Sequence, residues 1–119
     1  MIPHHQAIGH LGEGIASAYL LANNYEIIEK NWRYKKSEID IIASKNNKIH
    51  FVEVKTRTSE AFGKPEDSID SAKMNNLKKG AEAYLLLYPE WTRIQFDVVA
   101  VTLHGSREPE IFFIEDVFF

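Results

Sequence analysis

The stretch Glu38-Ile39-Asp40-Ile41-Ile42-Ala43-Ser44-Lys45-Asn46-Asn47-Lys48-Ile49-His50-Phe51-Val52-Glu53-Val54-Lys55 reads as two strands folded about one turn. Both halves are rich in β-branched residues, and asparagine tolerates the left-handed angles of a two-residue type I′ turn. Asn46-Asn47 is therefore the predicted turn. Pairing then sets Lys45 opposite Lys48, Ile42 opposite Phe51, Ile41 opposite Val52 and Asp40 opposite Glu53. Directly opposed residues share a face of the sheet with Cβ atoms roughly 5 Å apart. Two anions that close repel unless something positive lies between them, and a divalent cation is the natural candidate. Alternation by two places Lys55 on the face of Glu53, with Cα atoms about 7 Å apart. Ile39, Ile41, Val52 and Val54 are expected on the other face as core, which would pin the register. The competing reading is a pair of half-exposed strands with ordinary ion pairs, such as Glu38 across from Lys55. Opposed acids are ordinarily avoided, which weighs against it.

Outward from this hairpin, Tyr25 to Arg33 reads as a preceding strand, followed by Glu38 to Ala43 and Ile49 to Arg57. Before them, Ile8, Leu11, Ile15, Ala18, Tyr19 and Ala22 recur at helical spacing, predicting a helix over Gln6 to Ala22 buried along that stripe. Phe62 to Pro65 is a turn-rich loop. A second helix is predicted from Ser68 to Leu87, with the stripe Ile69, Leu77, Ala81, Tyr84 and Leu85 ended by Pro89. Ile94 to Leu103 and Ile111 to Ile114 complete the strands. The order αβββαββ predicts an α/β fold, a mixed sheet flanked by helices. A helix between the third and fourth strands permits a parallel crossover.

With 119 residues, 45% of them hydrophobic, and no repeat or linker, the chain is expected to be a single domain over residues 1–119. The absence of cysteine excludes a disulfide framework, a thiolate nucleophile and a thiolate zinc cluster. The longest apolar runs, Ala83 to Tyr88 and Ile111 to Ile114, fall far short of the roughly 20 residues of a membrane span. No membrane partner is expected, no secretory signal is visible, and cytoplasmic residence is expected by default. The formal charge of −3 argues against coating nucleic acid non-specifically. Residues 30 to 64, however, carry nine bases against four acids, while the flanks are acidic. That segment suits either a local phosphate-binding surface or a merely solvated face. The five histidines lack partners at a metal-binding spacing, His50 and His104 being isolated. No phosphate-cradling G-x-x-x-x-G-K-[ST] loop is present either.

Three further polar residues stand out. Glu13 lies nearly opposite the Ile8/Leu11/Ile15 stripe, as a solvated residue would, yet shares its face with Gly9, Ala16 and Leu20. Gly9, Gly12 and Gly14 each weaken the helix by about 1 kcal/mol relative to alanine, which suggests a close approach there. Lys73 interrupts the apolar stripe of the second helix; a snorkelling side chain is the ordinary reading, a phosphate or carboxylate partner the alternative. Asp97, within Phe96-Asp97-Val98-Val99, reads as a satisfied structural acid before a site residue.

Asp40 followed by Glu53-Val54-Lys55 resembles the Asp…Glu-x-Lys signature of the PD-(D/E)XK nuclease superfamily, with Ile39 in place of the signature's proline. Gly12-Glu13, Asn31-Trp32-Arg33, Glu38-Ile39-Asp40, Phe51 to Arg57, Phe62-Gly63 and Phe96-Asp97-Val98-Val99 resemble the uncharacterised YraN-like bacterial family over nearly the whole chain. That family is similar in turn to archaeal Holliday-junction resolvases, in which a helix-borne acid joins the hairpin acids; Glu13 matches that position. The resemblance implies a restriction-endonuclease-like core and metal-dependent hydrolysis of DNA phosphodiesters, with branched or junction DNA as one substrate. Asp40 and Glu53, with the Val54 carbonyl and Glu13, would hold Mg²⁺ or Mn²⁺ through hard oxygen ligands. Lys55 would orient the attacking hydroxide or neutralise developing phosphate charge. Arg33, Lys35, Lys36 and Arg57, with Lys73, would contact phosphates. Trp32 and Tyr34 suit either base stacking or core packing. The alternative is a catalytically inactive nucleic-acid-binding or recombination-accessory module. A third reading is a protein-interaction domain, in which the aromatic segment Glu108 to Phe119 covers the core or forms a dimer contact. A homodimer follows by analogy with resolvases.

Overall fold

The hairpin decides the architecture. In the computed structural model, which describes residues 4–58 and 71–117, Asn46 and Asn47 take φ angles of 53° and 63°, the left-handed pair that a type I′ turn requires. The turn joins β2 (Ser37–Lys45) to β3 (Lys48–Thr58). Their register is Lys45↔Lys48, Ile42↔Phe51 and Ile41↔Val52, as the turn predicts. β1 (Glu26–Tyr34) pairs antiparallel with β2. α2 (Ser71–Leu87) crosses over to β4 (Ile94–Leu103), which runs parallel to β3, and β5 (Glu110–Ile114) closes the edge antiparallel to β4. With α1 (His4–Ala22) in front, one five-stranded sheet in the order β1-β2-β3-β4-β5 results. This α/β mixed sheet in the order αβββαββ is compatible with the restriction-endonuclease-like core. The predicted loop Phe62 to Pro65, Ile69 of the predicted helix stripe, and Phe118 and Phe119 lie outside the described residues.

Both faces of the sheet are covered, so the central strands read as continuous apolar runs rather than simple alternations. Ala16 and Leu20 of α1 pack on Ile41, Ala43, Val52, Val54, Val99 and Val101. Met74, Leu77, Ala81 and Tyr84 of α2 pack on Ile39, Ile42, Ile49, Phe51 and Val98.

Two expected faces are corrected. Ile39 packs beneath α2 instead of with Ile41, Val52 and Val54. Alternation along β2 breaks at Asp40, where the ladder with β3 ends at Ile41↔Val52 and the Asp40 carboxylate takes the Val54 N–H in place of a strand carbonyl. On α1, the residues fully turned inward are Gly12, Ala16, Ser17 and Leu20; Ile15 and Tyr19 of the predicted stripe pack half-buried against the same core, while Leu11 is 55% exposed. Glycine at 12 is the reason: an ideal Cβ there would lie 1.7 Å from Thr56 Oγ1. Close packing of α1 on β3 outweighs the more apolar stripe and turns the helix so that Glu13 is half-buried.

Of the ambiguous aromatics, Trp32 packs on the α2-side core and meets Tyr84 edge-on at 5.3 Å. Tyr34 remains 44% exposed and stacks parallel to Trp32, with ring centroids 6.4 Å apart. Phe113 packs on the α1-side core, while Phe112 is exposed. No helix among the described residues is long and apolar enough to cross a membrane.

Candidate active site

Where the β2–β3 ladder runs out, a side chain takes over. The last ladder pair at this end is Ile41↔Val52. Next to it, the Val54 main-chain N–H donates to Asp40 Oδ2 at 2.8 Å, so the carboxylate replaces a strand carbonyl. Asp40 is only 9% exposed. The Glu53 carboxyl is hydrogen-bonded to it. Burial pushes Glu53 up to about 8, with the Asp40 charge adding to the rise and the Lys73 and Lys55 ammonium groups opposing it. Asp40 is raised to about 6, first by burial; its bond from Val54 N–H opposes this, and the charges of Glu13 and Glu38 add to it. Two acids in one desolvated corner cannot both ionise cheaply, so burial and mutual repulsion hold both above the ordinary carboxylate range.

A cavity of about 330 Å³ opens over this pair. Glu13 of α1, Glu38 of β2 and Val54 of β3 line it, with Lys73 and Asn76 of α2 and Lys36 of the β1–β2 turn. Lys73 thus faces the acids across the helix–sheet boundary, and its charge lowers both of their pKa values. Lys55 is half-buried on β3, where its charge acts on Glu53.

The donor chemistry fits a hard divalent cation. Asp40 and Glu53 offer carboxylate oxygens to one cavity, and Mg²⁺ characteristically takes one or two carboxylates and completes its shell with water and substrate phosphate. Among the described residues no group of three His, Cys, Asp or Glu stands ready-made as a cage. Glu13 lines the cavity without completing such a group.

The basic residues divide. Lys36 belongs both to this cavity and to an adjoining one of about 500 Å³, lined also by Tyr34, Lys35, Asn76 and Lys79. Arg33 is exposed and pairs with Glu38 at 2.6 Å, in place of the Glu38–Lys55 pair considered from the sequence. Arg57 is tied back to Thr102 Oγ1 on β4 at 3.3 Å. Asn76 and Lys79 were not picked out in the sequence. The signal was present, since Lys73, Asn76 and Lys79 repeat every three residues and form one polar stripe along α2.

One correction concerns histidine. His50 is not isolated: its Nδ1 lies 2.7 Å from Oδ2 of the fully buried Asp97. The two are 47 residues apart, so only the parallel pairing of β3 with β4 brings them together. Asp97 is a satisfied structural acid, its other oxygen accepting from Gln95 Nε2 and the Asp116 N–H.

The raised acids carry a stability consequence. A carboxyl whose folded pKa exceeds its unfolded value retains its proton in the native state, so its contribution is full below about pH 4.5 and is lost as the pH rises through about 8. Glu53→Gln should therefore melt higher than the parent at pH 9 in a chelator. The expected gain is about 1–2 kcal/mol after allowing for screening of a half-buried group, or roughly 5–10 °C. Near pH 4.5 the two should melt together. Calorimetry at both pH values checks this; equal melting at pH 9 would show that the acids are not strained.

The model of the uncharacterised protein family UPF0102 matches residues 12–101, a span that holds Glu13, Asp40, Glu53, Lys55, Lys73 and Asp97. A UPF0102 protein of Flavobacterium johnsoniae is 41% identical over 106 residues, covering 86% of each chain. One from Flavobacterium psychrophilum is 39% identical, covering 97% of this chain and 96% of its own. Another from Clostridium perfringens is 37% identical, covering 99% and 98%. The chain therefore belongs to the UPF0102 family, the YraN-like group its motifs resemble.

Proposed function

We propose that this protein is a Mg²⁺- or Mn²⁺-dependent endonuclease that hydrolyses DNA phosphodiesters, with branched DNA as its preferred substrate. The observation that carries the reading is the pair of a buried Asp40 and a half-buried Glu53, both lining one open cavity and both held above the ordinary carboxylate range by burial, with Lys55 acting on Glu53. Two carboxyls are desolvated together here, an arrangement that costs stability and that a divalent cation would offset.

When bound, the ion supplies Lewis-acid stabilisation of phosphate charge and acidifies water. The chain's own residues do the rest. Asp40 and Glu53, once deprotonated, would hold the ion, and the hydrogen bond from the Val54 N–H fixes the Asp40 carboxylate in place. Lys55 neutralises charge developing on the attacked phosphate. The adjoining cavity, with Lys35, Lys36 and Lys79 around the exposed Tyr34 ring, guides the backbone toward the acids and offers a stacking face to an unpaired base. That path favours a substrate with single-stranded character at its branch. A second copy of the chain would supply the second cut of a symmetric junction.

Incubating the protein with branched, single-stranded and fully paired DNA in Mn²⁺ or Mg²⁺ tests the reading. Cleavage that needs the ion and is lost in Asp40→Asn supports it. Binding without cleavage, identical in Asp40→Asn and the parent, would instead favour the accessory module. The Lys36→Ala/Lys79→Ala double variant should weaken binding to all sequences alike. It should also lower the slope of log affinity against log salt by roughly 1.5, as a fluorescence-anisotropy salt titration would measure.

A further inference from the structure

The opposite end of the same hairpin carries a second polar cavity, of about 250 Å³. Lys45, Lys48 and Arg93 line it, against one carboxylate, that of Glu115. Lys45 and Lys48 are direct cross-strand partners around the Asn46-Asn47 turn, and like charges so placed destabilise a hairpin. Their hydrogen bonds go to neutral acceptors. Lys45 Nζ donates to the Asn23 carbonyl at 2.8 Å, Lys48 Nζ to Gln95 Oε1 at 3.1 Å, and the Arg93 guanidinium to the Asn46 carbonyl at 3.5 Å.

The base of this cavity is a fixed imidazole. His50, 5% exposed, lines it, with the Tyr25 ring edge-on at 5.0 Å. Because Nδ1 meets the Asp97 carboxylate, an acceptor, Nδ1 carries the ring proton and Nε2 sits on the far edge of the ring. Asp97 is itself held by Gln95 and by the Asp116 N–H, both at 2.9 Å, so the ring cannot turn without breaking a buried network. Three cations around a space of this size match an anion of charge −2 with several terminal oxygens.

We propose that this cavity binds a phosphate monoester, with Lys45, Lys48 and Arg93 around its oxygens and His50 beneath. Tyr25 belongs to the core on the α1 side of the sheet, whereas Lys73 and Asn76 of α2 line the acid cavity, so the two sites are distinct. The inference does not depend on the nuclease reading. It also gives the opposed lysines a purpose: one end of the hairpin collects acids for a cation, the other collects bases for an anion.

Titrating ¹⁵N-labelled protein at constant ionic strength with inorganic phosphate, a nucleoside 5′-monophosphate and a 5′-phosphorylated oligonucleotide tests it, with the unphosphorylated nucleoside and oligonucleotide as controls. The His50 imidazole and Arg93 guanidinium signals should shift saturably with the phosphorylated compounds only. Arg93→Ala and Lys48→Ala should each weaken binding at least tenfold with unchanged melting, and Lys78→Ala on exposed α2 should leave it within twofold. Preference for the nucleotide identifies a small phosphorylated ligand, and a tenfold preference for the phosphorylated strand identifies a strand end; both support the site. Equal shifts with the unphosphorylated controls, shifts that never saturate, or undiminished binding in Arg93→Ala would overturn it.

Discussion

Lys55→Ala protein should bind branched DNA within about threefold of the parent yet cleave it roughly 10²–10³ times more slowly, the loss typical of removing one charge-stabilising donor from a reacting centre. The reason lies in β3. Glu53 and Lys55 are two residues apart on the same strand, and the Lys55 charge already acts on Glu53 in the absence of substrate. The strand backbone, paired with β4 through Glu53↔Val98 and Lys55↔Ala100, fixes the spacing between acid and ammonium. Removing the ammonium leaves the acids and the phosphate-guiding lysines in place. Binding should therefore survive while the charge that develops on the phosphate goes unanswered. Gel-based cleavage under single-turnover conditions, alongside anisotropy for binding, separates the two. An equal loss of both would mean that Lys55 only anchors DNA, and undiminished cleavage would remove it from the chemistry.

The second large effect is on folding. Gly12→Ala places a methyl group 1.7 Å from Thr56 Oγ1, 2.7 Å from its Cβ and 2.8 Å from its Cγ2. Rotating Thr56 about its Cα–Cβ bond moves Oγ1 and Cγ2 but not Cβ, so α1 must lift from β3. Alanine gains about 1 kcal/mol of helix propensity, but overpacking should exceed that, for a net destabilisation of about 1–3 kcal/mol and a melting point lower by roughly 5–15 °C. Because Glu13 is the next residue, the same displacement should shift its carboxylate in the acid cavity. Gly9→Ala and Gly14→Ala make the internal comparison: neither Cβ would meet anything within 4 Å, so each should stabilise α1 by up to about 1 kcal/mol. Adding Thr56→Ala to Gly12→Ala should rescue only in part, since the Thr56 Cβ clash remains. Thermal melts of the four proteins decide the matter, and a Gly12→Ala chain as stable as Gly14→Ala would refute the close contact.

These glycines show where local reading ends. Three glycines in one helix point to close approach, but which of them is needed depends on where β3 lies, and no spacing within α1 contains that. The same limit explains the shifted helix face: Ile15 and Tyr19 keep their place against the core while Leu11 turns outward, because contact with the sheet rewards proximity at Gly12 as well as hydrophobicity. Ile39 lies on the face opposite to the expected one because alternation along β2 breaks at Asp40, where the ladder with β3 ends.

What the sequence determined by itself is local and periodic. Paired asparagines between two β-rich runs specify the turn, the turn specifies the register Ile42↔Phe51 and Ile41↔Val52, and the register carries Asp40, Glu53 and Lys55 to one end of the hairpin. Each step involves residues close along the chain, where backbone sterics and the two-residue period leave few choices. Tertiary structure alone decided what lies opposite. The parallel docking of β4 set Asp97 beneath His50, and the crossover helix brought Lys73, Asn76 and Lys79 over the acids and the adjoining groove. Such contacts arise from packing two helices on both faces of one sheet, and no local pattern encodes which distant residue completes a contact.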